Sequence, residues 1–206
     1  MNLYYKYWYF QSVIPERICD DIVRLGHQLK DQMAVTGEFG KNKLNEKQVK
    51  DLKKKRNSNV VWMNDRWIFK EIQPYVHKAN KLAGWNFEWD WSESCQFTKY
   101  SKGQYYGWHC DSWDKPYNQP NTPSHGKIRK LSVTVSLSDP KKYQGGELEF
   151  DLRNGMPGKK HIVKCNEILP KGSLVVFPSH IWHRVCPVKK GERNSLVIWN
   201  LGWPFK

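Results

Sequence analysis

Within residues 129–138, apolar and polar positions alternate without error from 131 on, where Leu131, Val133, Val135 and Leu137 interleave with Ser132, Thr134, Ser136 and Ser138. A period of two over that length predicts a strand with one face on a core. Shorter runs at 4–10, 104–111, 145–150, 173–177 and 193–201, separated by Gly- and Pro-rich turns such as Asp139-Pro140, predict further strands. Two segments keep a helical period instead. Ile18, Ile22 and Leu25 recur within residues 15–25, with Ser12 close enough to cap and Pro15 tolerated in the first turn. Trp67, Ile68, Ile72, Tyr75, Val76 and Ala79 form one broad apolar side of a second helix over 65–82 despite Pro74. The resulting fold class is mainly β with flanking helices that brace a sheet. Many short, evenly spaced strands point to a double-sheet jelly roll. At 206 residues the chain is predicted to be a single domain, 1–206, with a helical and basic N-terminal part (1–86) and a jelly-roll core (87–206).

Charge changes the picture in one place. The net charge is +14, with a pI near 9.5, which favours acidic partners. Between residues 41 and 56, eight basic residues (Lys41, Lys43, Lys47, Lys50, Lys53, Lys54, Lys55, Arg56) face only Glu46 and Asp51, a net +6. Such a run reads as a solvated connector entered at Gly37 and Gly40, and it carries nucleic acid as an alternative partner. Five cysteines, an odd number without Cys-x-x-Cys spacing, argue against a disulfide framework or a zinc site and for a reducing cytoplasm. The aromatic start at residues 1–8 is too broken by polar residues for a signal segment, and no apolar run approaches a membrane span.

The chemistry is carried by His109, Asp111 and His183, followed ten residues later by Arg193. On a strand, His109 and Asp111 project from one face while Cys110 points away. The third ligand comes from residues 177–185, where His180 competes with His183. Two imidazoles and one carboxylate leave the opposite face of a metal open, which suits iron(II) and oxygen better than a closed structural site. Arg193 and Ser195 share a strand face, where a guanidinium and a hydroxyl together can hold the carboxylate of a co-substrate. Residues 112–127, with three prolines, form a loop too long for a hairpin turn and are expected to cover the site as a substrate lid.

The segments CQFTKYSKGQYYGWHCD (95–111), GGELEF (145–150) and KGSLVVFPSHIWHRVCPVKKGERNSLVIW (171–199) resemble the iron(II)/2-oxoglutarate dioxygenases, most of all the prolyl 4-hydroxylase branch with its small bacterial and phage hydroxylases. The resemblance is strong over the C-terminal half and weaker at the N-terminus. It implies a double-stranded β-helix (jelly-roll) core, with iron(II) on His109, Asp111 and His183. It also implies 2-oxoglutarate on Arg193, with Ser195 and Tyr100 beside it, and O2 as oxidant. The third ligand falls on His183 because the match aligns there and on the Pro187-Val188 that follows. The implied activity is hydroxylation of a protein or peptide side chain, at proline in this branch, with release of succinate and CO2. Two alternatives stand beside it: a nucleic-acid or nucleotide oxidase, and a metal-binding jelly roll without turnover.

Overall fold

The structure, a computed structural model, describes residues 1–30, 32–34, 45–112, 115–153 and 161–205. In chain order the elements are β1 (Trp8–Phe10), α1 (Glu16–Gln28), β2 (Gln32–Met33), α2 (Glu46–Lys55), β3 (Arg56–Asn57), β4 (Asn59–Met63), α3 (Arg66–Leu82), β5 (Trp91–Ser92), β6 (Cys95–Tyr100) and β7 (Tyr105–His109). There follow β8 (Ile128–Ser136), β9 (Gln144–Gly145), β10 (Leu148–Asp151), β11 (Ile162–Lys164), β12 (Leu174–Pro178), β13 (Trp182–Val185), β14 (Val188–Lys190) and β15 (Arg193–Gly202). A major antiparallel sheet runs β1-β12-β8-β15-β6-β4-β2, with β5 added beside β15. It faces a minor sheet, β11-β10-β13-β7-β3, and the two close into a jelly-roll core.

The helices cover one face of the major sheet. Along α3, Ile68, Ile72, Val76 and Ala79 fall on one stripe and are fully buried, together with Ile18, Cys19 and Ile22 of α1. They meet Leu131, Val133 and Val135 of β8 and Leu196 and Ile198 of β15 in one apolar cluster. Gly26 of α1 lets the helix lie on the sheet, because a Cβ there would sit 2.6 Å from the Phe97 ring. Ser12 does not cap α1; Pro15 holds the N-cap position without a side-chain bond, and the Ser12 N–H donates to Ser173 Oγ at 2.9 Å. The opening strand is also shorter than the pattern predicts, three residues instead of seven.

The other face of β8 corrects the simple reading of its alternation. Ser132, Thr134 and Ser136 are as buried as the apolar residues between them, because they face the interior between the two sheets. The basic stretch is corrected as well. Lys41, Lys43, Gly37 and Gly40 lie outside the described residues, but 46–55 is a helix and not a connector. Asn45 and Gln48 form a reciprocal capping box at its start, Leu52 anchors it with no exposure, and the Tyr105 hydroxyl donates to the carbonyls of Lys53 and Lys54 at its end. The chain then pairs directly with β7 through β3. The N-terminal part therefore contributes strands to both sheets across the division at residue 86. No helix is long and apolar enough to cross a membrane among the described residues.

Candidate metal centre and carboxylate clamp

β7 and β13 run antiparallel with His109 opposite His183, and Val185 opposite Tyr106. Three steps on β7 thus match two on β13, so β7 carries a one-residue bulge around Gly107 and Trp108. The bulge turns the Gly107 carbonyl back onto His109, whose Nδ1–H donates to it at 2.8 Å. His183 repeats the device, its Nδ1–H donating to Ile181 O at 2.9 Å. A carbonyl can only accept, so in both rings Nδ1 carries a hydrogen, which in the neutral imidazole leaves Nε2 as the ligating atom. Phe177 packs edge-on against His183 at 4.7 Å between centroids, and Tyr106 stacks on His109 at 3.5 Å.

Asp111 lies two residues beyond the end of β7, so the ladder itself does not present it. Its N–H instead donates to Ser179 O at 2.8 Å, which ties the chain to the β12–β13 turn. Its Oδ1 stands 3.7 Å from His109 Nε2 and its Oδ2 3.6 Å from His183 Nε2, and donor atoms of the three residues lie within 4.8 Å of one another. Ser132 Oγ donates to Asp111 Oδ2 at 2.7 Å and also meets Ser179 Oγ at 2.9 Å. His180, the rival ligand, is exposed in the turn before β13 and outside this cluster.

Burial, then the neighbouring His183, lowers the His109 pKa to about 3, so that imidazole stays neutral. Burial alone would raise the Asp111 carboxyl, but His183, His109, Arg129 and the Ser132 hydroxyl outweigh it and hold it at about 2. Two imidazole Nε2 atoms and a carboxylate thus converge in one buried site. These donor atoms are of the kind that could hold a divalent cation. The donor set fits iron(II).

Arg193 opens β15 and pairs in register with Tyr100 at the end of β6. It is 3% exposed, its guanidinium carbon stands 5.6 Å from the Tyr100 ring, and Nη1 donates to Ser195 Oγ at 3.2 Å. No carboxylate lies within 4.0 Å of it among the described residues. Gly146 makes room for it, since a Cβ there would meet Arg193 Cδ at 2.8 Å and the backbone φ is +70°. The triad and Tyr100, Arg193 and Ser195 line one and the same cavity of about 400 Å³, counted with its open mouth. A wider cleft, about 1140 Å³ on the same measure, lies elsewhere, between Lys130, Trp203 and Phe205, and holds none of these residues.

Several residues of the site escape a reading of the sequence. Ser132 and Ser179 orient Asp111. Arg129, held bidentately by Glu93 at 2.7 and 2.6 Å, lies 3.8 Å over the Trp199 ring at the cavity wall. Arg56, 4% exposed, covers Tyr106 at 4.4 Å. The polar face of β8 was the one available signal, since Ser132 belongs to it.

The model of the 2OG-Fe(II) oxygenase superfamily matches residues 95–200. A PKHD-type hydroxylase of Pseudoalteromonas atlantica is 37% identical over 105 residues, which cover 50% of this chain and 41% of that protein. The match thus spans about two fifths of the length of such curated relatives. Among solved structures, a viral collagen prolyl hydroxylase of Paramecium Bursaria Chlorella virus-1, in its 2OG complex, is similar with a TM-score of 0.64 and 20% identity over 97% of each chain. A prolyl hydroxylase of Trichoplax adhaerens, in complex with a hypoxia inducible factor oxygen degradation domain peptide fragment, gives 0.63 and 16% over 95% of this chain and 83% of that one. At these identities the likeness speaks for the fold.

Proposed function

Because the chain belongs to the 2OG-Fe(II) oxygenase superfamily, we propose that it is a dioxygenase that hydroxylates a side chain of a protein or peptide, with proline as the target residue. The observation that carries this reading is the convergence of two imidazole Nε2 atoms and the Asp111 carboxylate in one buried corner of the cavity. His109, Asp111 and His183 are the residues to hold iron(II). Arg193 is the clamp for the distal carboxylate of 2-oxoglutarate, with Ser195 fixing the guanidinium and Tyr100 forming the adjacent wall. Iron(II) and 2-oxoglutarate supply oxygen activation, with the keto acid leaving as succinate and CO2.

The chain's own part is positioning and exclusion of water. The bulge carbonyl of Gly107 and the carbonyl of Ile181 keep both imidazoles in the ligating tautomer, while Ser132 and Ser179 fix the carboxylate. Phe150, Phe177 and Tyr106 wall the imidazoles with aromatic surface. The prolyl target is supported by the PKHD-type hydroxylase relative and by the two prolyl hydroxylase structures of the same fold. The test is mass spectrometry of proline-containing peptides incubated with protein, iron(II) and 2-oxoglutarate. A gain of one oxygen on proline, together with succinate, is expected. Succinate without any peptide product would move the target away from proline, and no succinate at all would overturn the reading.

A further inference from the structure

The helix α2 carries a charge pattern that its own stability does not require. Lys53, Lys54 and Lys55 fill its last turn, where cations complement the partial negative charge of the helix end. Lys47 sits in the first turn, where a positive charge opposes the helix dipole, and Lys50 lies mid-helix. Val49 and Leu52 point inward, and Lys47, Lys50 and Lys54 share the opposite, exposed side at spacings of three and four. Lys54 is paired with Asp51 at 3.0 Å. Among the described residues, no carboxylate lies within 4.0 Å of Lys47, Lys50 or Lys53.

This helix is fastened to the wall of the candidate iron site. The Tyr105 hydroxyl binds the carbonyls of Lys53 and Lys54, and Arg56, the next residue after the helix, lies over Tyr106, which stacks on His109. Lys55 O also approaches Gly107 so closely that a Cβ there would stand 3.0 Å from it. A basic surface is thus placed beside the strand that bears His109, two residues before Asp111.

We propose that α2 is a recognition element for an acidic flank of the polypeptide substrate, which deepens the peptide-hydroxylase reading and rests on it. A ten-residue helix is about 15 Å long, and an extended peptide advances about 3.3 Å per residue, so α2 spans four to five substrate residues. The acidic positions therefore belong within a handful of residues of the hydroxylated one.

The experiment compares two synthetic peptides, each with a central proline, flanked on both sides by five Glu or by five Gln. Binding is read by fluorescence anisotropy and hydroxylation by mass spectrometry, both as a function of salt. The Glu peptide should bind more tightly, on the order of tenfold for several exposed ion pairs at low ionic strength, with the advantage fading as salt rises. In a K47Q/K50Q/K53Q variant the Glu-over-Gln preference should collapse towards one, and in K47R/K50R/K53R it should persist. Circular dichroism with an unchanged Tm shows that the variants are folded. Equal affinity for the two peptides in the parent protein would overturn the proposal, as would a preference that survives in the glutamine variant. A single-stranded oligonucleotide that binds more tightly than the Glu peptide, and loses that binding in the glutamine variant, would overturn it in favour of nucleic acid. If neither peptide is hydroxylated, the anisotropy still decides the role of α2, while the choice of proline as target fails separately.

Discussion

The two faces of the major sheet are made by the same strands and do opposite work. On the helix side, Leu131, Val133, Val135, Leu196 and Ile198 meet α1 and α3 in an apolar cluster with almost no polar atom to satisfy. On the interior side, Gln96, Thr98, Ser132, Thr134, Arg193 and Ser195 are equally removed from water but polar. Burying a polar group costs free energy unless it finds a partner, so the interior face holds only because its members bind one another and the site. Gln96 donates to Thr98 at 3.0 Å, Ser132 to Asp111, and Arg193 to Ser195. One face thus secures the fold, and the other stores unmet bonding capacity for chemistry.

The sharpest way to break this contrast is at the triad. His109→Ala, Asp111→Ala and His183→Ala should each abolish iron(II) binding and 2-oxoglutarate decarboxylation, while His180→Ala, outside the cluster, retains both. Metal titration followed by a succinate assay checks this, and an inactive His180→Ala beside an active His183→Ala would reverse the assignment. On the apolar face the loss should be one of stability. Leu131→Ala removes a fully buried side chain and should destabilise by about 2–5 kcal/mol in urea denaturation, without altering affinity for iron(II) in the protein that remains folded.

Smaller effects refine the comparison. Arg193→Lys keeps the charge but loses the planar fork, and the apparent affinity for 2-oxoglutarate should weaken by about 1.5–3 kcal/mol, with Ser195→Ala costing less. An unchanged 2-oxoglutarate dependence in Arg193→Lys and Arg193→Ala would remove that residue from the site. Acid provides a test without mutation. His109 is held at about 3, below its ordinary 6.5, so between those values the unfolded chain binds a proton that the native one refuses. Stability of the metal-free protein should fall as pH drops through that window. It should fall further below 3.8, where the Asp111 carboxylate, held at about 2, begins to lose its advantage. Urea midpoints between pH 7 and pH 4 measure the first effect, and His109→Gln should flatten it. Ser132→Ala should produce the smallest change, about 1 kcal/mol in metal affinity, because Asp111 keeps its backbone anchor on Ser179.

Much of the architecture was legible in local patterns, for particular reasons. The alternation along β8 and the three-to-four spacing of Ile68, Ile72 and Val76 are dictated by backbone periods that any environment must respect. The spacing of His109 and Asp111 and the distant His183 showed which chemistry to seek, because few residue sets leave a metal face open. The conversion of 46–55 from expected connector to docked helix rests on Leu52, a single apolar anchor in a charged run too weak to register as a pattern. Residues 112–127 were expected to form a lid. Residues 115–127 close on themselves through Tyr117 and Lys127, the Tyr117 N–H donating to Lys127 O at 2.9 Å, while 113–114 lie outside the described residues.

By itself the sequence determined the long periodic elements such as β8 and α3, their buried stripes and the residue types able to ligate, since these depend on near neighbours along the chain. Tertiary structure alone decided which side of each strand faced chemistry. It turned Ser132 and Thr134 inward as a polar lining, because a second sheet covers that face. It also set His109 against His183 in register and bulged β7, so that a carbonyl could aim the first imidazole. Neither property is encoded in any short window. A cross-strand pair and a bulge exist only relative to a partner strand, and here that partner lies more than seventy residues away in the chain.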